Sequence, residues 1–138
     1  MKQTIDMACM RHLNLFERVT GVRTKNCFLY NNQLIFAVPA DLISRVIGED
    51  GKNVKRMAAI LGKKIKIVAF PENEGRVGKF ISDIISPVSF RSLEIAGNEI
   101  IITANKEVKA ALIGRNKVRL EELKKIAEEH FGKELRIV

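Results

Sequence analysis

Cysteine, histidine and long apolar runs are all scarce in this chain, and each scarcity excludes a class of protein. Two cysteines, Cys9 and Cys27, are too few for a disulfide framework, and no Cys-x-x-Cys pair occurs. Both read as small buried apolar groups in a reducing compartment. Cys9 and His12 stand three apart on an expected helix, but His130 is the only other histidine, so no metal site and no cofactor are expected. No apolar run approaches the roughly 18 residues of a membrane span. The N-terminus also lacks the basic-then-apolar order of a signal peptide. A soluble, cytoplasmic protein without membrane contact is the expectation.

Catalytic patterns are missing too. A Walker A loop needs glycine five residues before its Gly-Lys pair and Ser or Thr after it; here the pair is Gly51-Lys52, flanked by Val46 and Asn53. No Gly-x-Gly-x-x-Gly follows a strand, no His-Glu-x-x-His occurs, and Ser, Cys and His show no nucleophile arrangement. An enzyme is not expected.

What is present is an ordinary globular composition, 46% hydrophobic and 29% charged, with an uneven excess of positive charge. Residues 1–70 hold 12 Lys and Arg against 5 Asp and Glu, a charge of +7, whereas residues 71–138 hold 12 against 11, or +1. That asymmetry points to a polyanionic partner, for the first half more than the second.

The chain also repeats itself. Val46-Ile47-Gly48-Glu49-Asp50-Gly51-Lys52-Asn53-Val54-Lys55-Arg56-Met57 is answered by a second stretch beginning Leu112-Ile113-Gly114-Arg115-Asn116-Lys117. Both copies end alike, in Leu61-Gly62-Lys63-Lys64-Ile65-Lys66-Ile67-Val68 and Phe131-Gly132-Lys133-Glu134-Leu135-Arg136-Ile137-Val138. Gly48 lies 14 residues before Gly62 and Gly114 lies 18 before Gly132. The four extra residues are about one helical turn, which keeps a buried face in phase.

Periodicity fills in the rest. Ile5, Ala8, Cys9, Leu13, Phe16 and Val19 recur at helical spacing up to Thr20, with Gly21 as the stop. Two β-prone runs, Cys27 to Tyr30 and Leu34 to Val38, flank Asn31-Asn32-Gln33 and predict a hairpin. Pro39 ends the second, and Asp41 is placed to cap a short helix through Ile47. A helix from Lys52 to Leu61 stops at Gly62, and Lys64 to Phe70 returns to the sheet. Pro71-Glu72-Asn73-Glu74-Gly75 reads as a linker. The same order then returns: a helix marked by Val77, Phe80, Ile81, Ile84 and Ile85; strands Phe90 to Ile95 and Glu99 to Thr103; helices Glu107 to Ile113 and Val118 to Phe131; and a strand Leu135 to Val138. Leu120, Leu123, Ile126, Ala127 and Phe131 form the inward side of the long helix. Leu13, Phe16, Phe36 and Met57 read as core, and Phe28 and Tyr30 as packing more than base-stacking groups. The fold class is α+β, with domains at 1–70 and 71–138.

A Gly-x-x-Gly break between helices leaves the second helix with unpaired N–H groups and the positive end of its dipole. Without a Cβ in the way, a sugar-phosphate chain can approach the backbone closely, and Lys52, Lys55 and Arg56 add charge. Ile43, Val46 and Ile47, with one face of the strand Ile65 to Val68, are placed to line a groove for bases. The simpler readings are a plain interhelical turn and a solvated helix face.

This doubled pattern, in the order helix-strand-strand-helix-helix-strand, resembles two tandem type II KH domains, each with a three-stranded sheet against helices. With the opening Arg11-His12-Leu13-Asn14-Leu15-Phe16-Glu17-Arg18-Val19-Thr20-Gly21, the whole chain resembles the archaeal NusA-like transcription factors. The resemblance implies a protein that binds single-stranded nascent RNA and modulates elongation, termination or antitermination, with RNA polymerase or other transcription factors as further partners and the monomer as its state. Bacterial members also carry an N-terminal polymerase-binding domain and an OB-type domain, patterns not seen in these residues. By position, the implied RNA-binding residues are Gly48, Glu49, Asp50, Gly51, Lys52, Asn53, Lys55 and Arg56 in the first copy. In the second they are Gly114, Arg115, Asn116, Lys117 and Arg119. Two departures stand out: Glu49 and Asp50 make the first loop acidic, and Lys117 replaces the closing glycine of the second, which costs roughly 1 kcal/mol if that position is left-handed. The alternative is a protein-interaction adaptor whose KH-type folds bind RNA weakly or not at all.

Overall fold

The computed structural model describes residues 7–138. They divide into two compact units on either side of Glu72 and Asn73. Ile5, the first apolar residue assigned to the opening helix, lies outside the described residues.

In the first unit, helix α1 (Met7–Thr20) precedes strands β1 (Asn26–Tyr30) and β2 (Gln33–Val38). It stops where the Gly21 N–H closes on the Glu17 carbonyl at 2.8 Å, with glycine at φ 74°. The Thr20 hydroxyl adds to the stop, donating to the Phe16 carbonyl at 2.7 Å and accepting from the Val22 N–H at 3.1 Å. The hairpin turns on two residues, Asn31 and Asn32, both at positive φ, a geometry asparagine tolerates; Gln33 already belongs to β2. Short helix α2 (Ile43–Ile47), helix α3 (Lys52–Leu61) and strand β3 (Lys64–Ala69) complete the unit. β2 runs antiparallel to β1 and parallel to β3, so it is central and buried at every position. The parallel pairing requires a crossover, and α2 and α3 provide it.

The second unit repeats this plan with α4 (Val77–Ile85), β4 (Ser92–Ala96), β5 (Glu99–Thr103), α5 (Lys106–Ile113), α6 (Val118–Phe131) and β6 (Glu134–Ile137). Its sheet has the order β4-β5-β6, again with one antiparallel and one parallel pairing. Each unit is thus a small three-stranded sheet packed on helices. α6 has 14 residues against 10 in α3, and both end on a left-handed glycine, Gly62 at φ 64° and Gly132 at φ 63°. The added turn leaves the buried positions in phase. Val46 and Leu112, Met57 and Leu123, Leu34 and Ile100, and Phe36 and Ile102 occupy matching places and are all essentially inaccessible. Phe16 stacks on Phe36 with ring centroids 4.5 Å apart, while Phe80 meets Phe131 edge-on at 5.6 Å.

Four local expectations are corrected. Asp41 does not cap α2: the Leu42 N–H bonds to the Pro39 carbonyl at 2.9 Å, so a 3-10 turn over Ala40–Leu42 starts directly after the proline and takes Asp41 into its middle. β4 begins at Ser92 rather than Phe90, because its partner β5 ends at Thr103, opposite Ser92. β6 begins one residue early, with Glu134 paired to Glu99. The supposed linker is partly structured: Glu74–Arg76 forms a 3-10 turn and Glu74 reaches Lys133 at 3.6 Å. The α5 helix also has an unforeseen cap, the Asn105 side chain accepting from the Val108 N–H at 2.8 Å.

The two interhelical loops are conformational copies. Gly48 has φ 80° and ψ 168°, and Gly114 has φ 74° and ψ 174°. That region is open to glycine essentially alone. Asp50 (55°, 25°) matches Asn116 (55°, 26°), and Gly51 (72°, 20°) matches Lys117 (62°, 20°), so each loop ends on two left-handed residues. Asp and Asn accept that state more readily than other side chains. Space distinguishes the two glycine positions. A Cβ on Gly114 would lie 2.6 Å from Arg119 Cγ, and one on Gly48 would lie 2.9 Å from Asn53 Nδ2; on Gly51 the nearest atom is 3.9 Å away. Backbone favours glycine at both positions, and packing adds to it at the opening one, most of all at Gly114, where Arg119 Cβ and backbone N also lie close; the closing position is uncrowded, which is why lysine can stand at 117.

Two consequences are measurable. Gly114→Ala destabilises by about 2–3 kcal/mol in urea unfolding, left-handed strain and overpacking acting together. Gly51→Ala costs only about 1 kcal/mol; equal costs would show that space is not the deciding factor. Second, burial holds the His130 imidazole below its usual pKa. The unfolded chain therefore takes up that proton before the folded one does. Stability is complete above the ordinary imidazole pKa of about 6.5 and is lost as the pH falls through it. The unfolding midpoint should drop on acidification through that range, and His130→Phe should remove that dependence.

Candidate nucleic-acid interface

Each loop stands where one helix hands over to the next. α2 closes with the Gly48 N–H on the Ser44 carbonyl at 3.0 Å, and α5 with the Gly114 N–H on the Ala110 carbonyl at 3.0 Å. The helices that follow begin without a side-chain cap: Gly51 has no side chain, and Lys117 has no acceptor to offer. α5, by contrast, has its first turn occupied by Asn105. The first N–H of each helix closes on its own loop, Lys52 on the Glu49 carbonyl and Val118 on the Arg115 carbonyl; no side chain caps the turn that follows, and the positive dipole end faces the loop.

Glu49 and Asp50 are exposed at the apex of the first loop, and Arg115, Asn116 and Lys117 at the apex of the second. Lys52, Lys55 and Arg56 are exposed along α3, and among the described residues none of the three forms an ion pair. Gly48, Gly51 and Gly114 are half-buried. Two other positions are engaged internally. Asn53 folds over Gly48 and donates from Nδ2 to the Arg45 carbonyl at 3.4 Å, tying α3 to α2 across the loop. Arg119, its counterpart, covers Gly114 and is ion-paired with Glu122.

The expected base groove is narrower than the sequence suggests. Val46, Ile65 and Val68 belong to the core of the first unit and present nothing to a ligand. Ile43, Ile47 and Ile67 remain half-buried. Tyr30 is also core, at 5% exposure. In the second unit the space between α5, α6 and the edge strand β6 is an open cleft of about 520 Å³, with Ile113, Leu120 and Ile137 among its walls and Lys124, Glu128 and Arg136 at its polar margin.

Some exposed groups went unmarked in the sequence. Ile60 on α3 is 56% exposed, and Lys63 and Lys64 are exposed where α3 turns into β3. The signal for the lysines was their position directly after the Gly62 stop, in the segment echoed by Lys133 and Glu134. Among the described residues, no group of three or more His, Cys, Asp or Glu is arranged to hold a metal ion, and no helix is long and apolar enough to cross a membrane.

No protein-family model matches the chain. It is 29% identical over 135 residues to the probable transcription termination protein NusA of Halococcus morrhuae, covering 95% of this chain and 94% of that protein. The protein of the same name from Methanocaldococcus jannaschii is 27% identical over 122 residues, 86% of this chain but 65% of the relative. That from Halobacterium salinarum is 25% identical over 121 residues, with 85% of this chain and 84% of the relative covered. Among solved structures, the crystal structure of APE1850 is similar at a TM-score of 0.68 and 25% identity, over 96% of this chain and 99% of that one. The chain is thus similar, at 25–29% identity over most of its length, to several archaeal proteins that share one name, a likeness that supports a NusA-like archaeal protein.

Proposed function

We propose that this chain is an RNA-binding transcription factor whose two units are type II KH domains, spanning 1–70 and 71–138, and that it modulates elongation, termination or antitermination by binding single-stranded nascent RNA. The observation that carries the reading is the pair of superimposable loops, each opening an uncapped helix and flanked by exposed cations. A flexible polynucleotide meets there a helix N-terminus, a backbone it can approach closely, and a set of point charges. The names of the archaeal relatives support the placement in transcription. In this reading Gly48, Gly51 and Gly114 shape the clamp; Lys52, Lys55, Arg56, Arg115 and Lys117 contact phosphates; and Glu49, Asp50 and Asn116 face the strand at the apex. Asn53 and Arg119 position the helix starts. The protein acts without catalysis or cofactor, in the cytoplasm and as a monomer, with RNA polymerase or other transcription factors as partners.

Recognition of this kind is dominated by the sugar-phosphate chain. Lys52→Ala combined with Arg56→Ala should therefore weaken binding to unrelated single-stranded RNA sequences alike, and lower the dependence of log K on log salt by about 1.4, or 0.7 for each phosphate no longer neutralised. Unchanged affinity would favour the adaptor. A second test transplants one loop into the other. Glu49→Arg with Asp50→Asn copies Arg115 and Asn116 while keeping a residue that tolerates the left-handed state, and should tighten RNA binding several-fold in a filter or anisotropy assay. A loss of affinity would mean that the two carboxylates make a specific contact.

A further inference from the structure

The two units share their backbone and differ in where they place charge. α3 carries Lys52, Lys55 and Arg56 and no acid, whereas α6 carries Arg119, Lys124 and Lys125 against Glu121, Glu122, Glu128 and Glu129. The difference continues past the helix stop. Strand register sets Gln33 opposite Lys64 in the first unit, and Glu99 opposite Glu134 at the same place in the second.

Pairing deepens the contrast. In the second unit the cations around the last strand are held internally: Arg136 Nε lies 3.3 Å from Glu99 Oε2, and Lys133 Nζ lies 3.6 Å from Glu74 Oε2 and donates to the Gly97 carbonyl at 2.9 Å. In the first unit Lys63 and Lys64 are exposed, and among the described residues neither forms an ion pair. At the loops the signs reverse. The first presents Glu49 and Asp50 to solvent, the second Arg115 and Lys117.

We infer that the first unit's contact with the phosphate chain extends from the start of α3 along its flank to the turn carrying Lys63 and Lys64, whereas the second unit's contact is confined to its Gly114–Lys117 loop. The inference rests on the RNA-binding reading. A helix of ten residues is about 15 Å long, so the Lys63–Lys64 turn is separated from the acidic loop by more than a Debye length, about 8–10 Å at ordinary ionic strength. Repulsion by Glu49 and Asp50 is therefore largely screened at that turn while Lys63 and Lys64 attract locally. Between the loop and the turn, Ala59 and Ile60 are exposed on α3 beside Lys55 and Arg56, an apolar strip bordered by cations that suits the sugar faces of an extended strand. The equivalent stretch of α6, residues 121–126, sets Glu121 and Glu122 against Lys124 and Lys125 and offers phosphate no net positive charge.

The test is a salt series of binding by the full chain to a short labelled single-stranded RNA of mixed sequence, with four double variants: Lys63→Ala with Lys64→Ala, Arg115→Ala with Lys117→Gly, Lys124→Ala with Lys125→Ala, and Lys52→Ala with Arg56→Ala. Glycine at 117 keeps the left-handed backbone, and far-ultraviolet circular dichroism confirms that each variant is folded. The Lys63/Lys64 and Arg115/Lys117 variants should each lower the salt slope by about 1.4, and the Lys124/Lys125 variant should leave it unchanged. If the Lys63/Lys64 variant behaves like the Lys124/Lys125 variant while the Lys52/Arg56 variant still weakens binding, the RNA reading stands and this inference is lost. An equal fall in all four also overturns it, since charge would then act without regard to place. No change in any of the four removes the RNA reading itself.

Discussion

The approach of one side chain to a missing Cβ governs each unit. At Gly48 the Asn53 amide, and at Gly114 the Arg119 side chain, occupies space that any other residue would need at the loop's opening position. Because that glycine also sits at a φ and ψ no L-residue holds at low cost, the chain has one way to leave the short helix and enter the long one. The crossing of the two helices is set there, and with it the crossover that makes β2 and β3, or β5 and β6, parallel neighbours. Asn53 adds a direct tie from the new helix to the old through the Arg45 carbonyl.

Fixing both ends of the long helix explains what may vary between them. A left-handed glycine closes α3 and α6 in the same conformation, so the helix between can gain a turn without moving the strand that follows. The extra residues lie beyond Leu123, and an insertion of any length other than about a turn would swing the Gly132 stop and β6 away from the face on which Leu123 is buried. The four-residue difference is thus a geometric allowance.

Much of this was legible in the chain itself. The repeat, the order of elements, the glycine stops and the buried faces follow from spacing and residue type, which are local properties. The misses share a different origin. Asp41 had the chemistry of a cap, but Pro39 offered its carbonyl two positions earlier, and competition between two nearby start signals depends on backbone direction. Phe90 is β-prone, yet a strand lasts only as long as its partner, and the end of β5 is set elsewhere. Val46, Ile65 and Val68 look like groove residues because they are apolar and near the loop, but the side of the sheet and helix they occupy is the core side. Asn53 and Arg119 lie in the candidate site by sequence, and their pairing with Arg45 and Glu122 emerges only in three dimensions.

Comparing the copies separates what the fold demands from what it leaves open. The opening glycines, the stop glycines and the matched core positions are constrained by steric exclusion and burial, and there the two units agree in type. Loop apices, the exposed faces of α3 and α6 and the first residues of the last strands, Lys64 and Glu134, touch solvent, and there they differ in charge, sometimes in sign. The closing loop position lies between these cases. Its left-handed backbone favours glycine by roughly 1 kcal/mol, but no neighbour crowds it, so Lys117 can hold the conformation and place an ammonium group at the start of α6. A helix N-terminus gains nothing from that cation, since like charge meets the positive end of the dipole. Lys117 is therefore unfavourable for the fold twice over, in backbone strain and in electrostatics. In the RNA-binding reading proposed above, a phosphate that joins Lys117 at the loop offsets both costs.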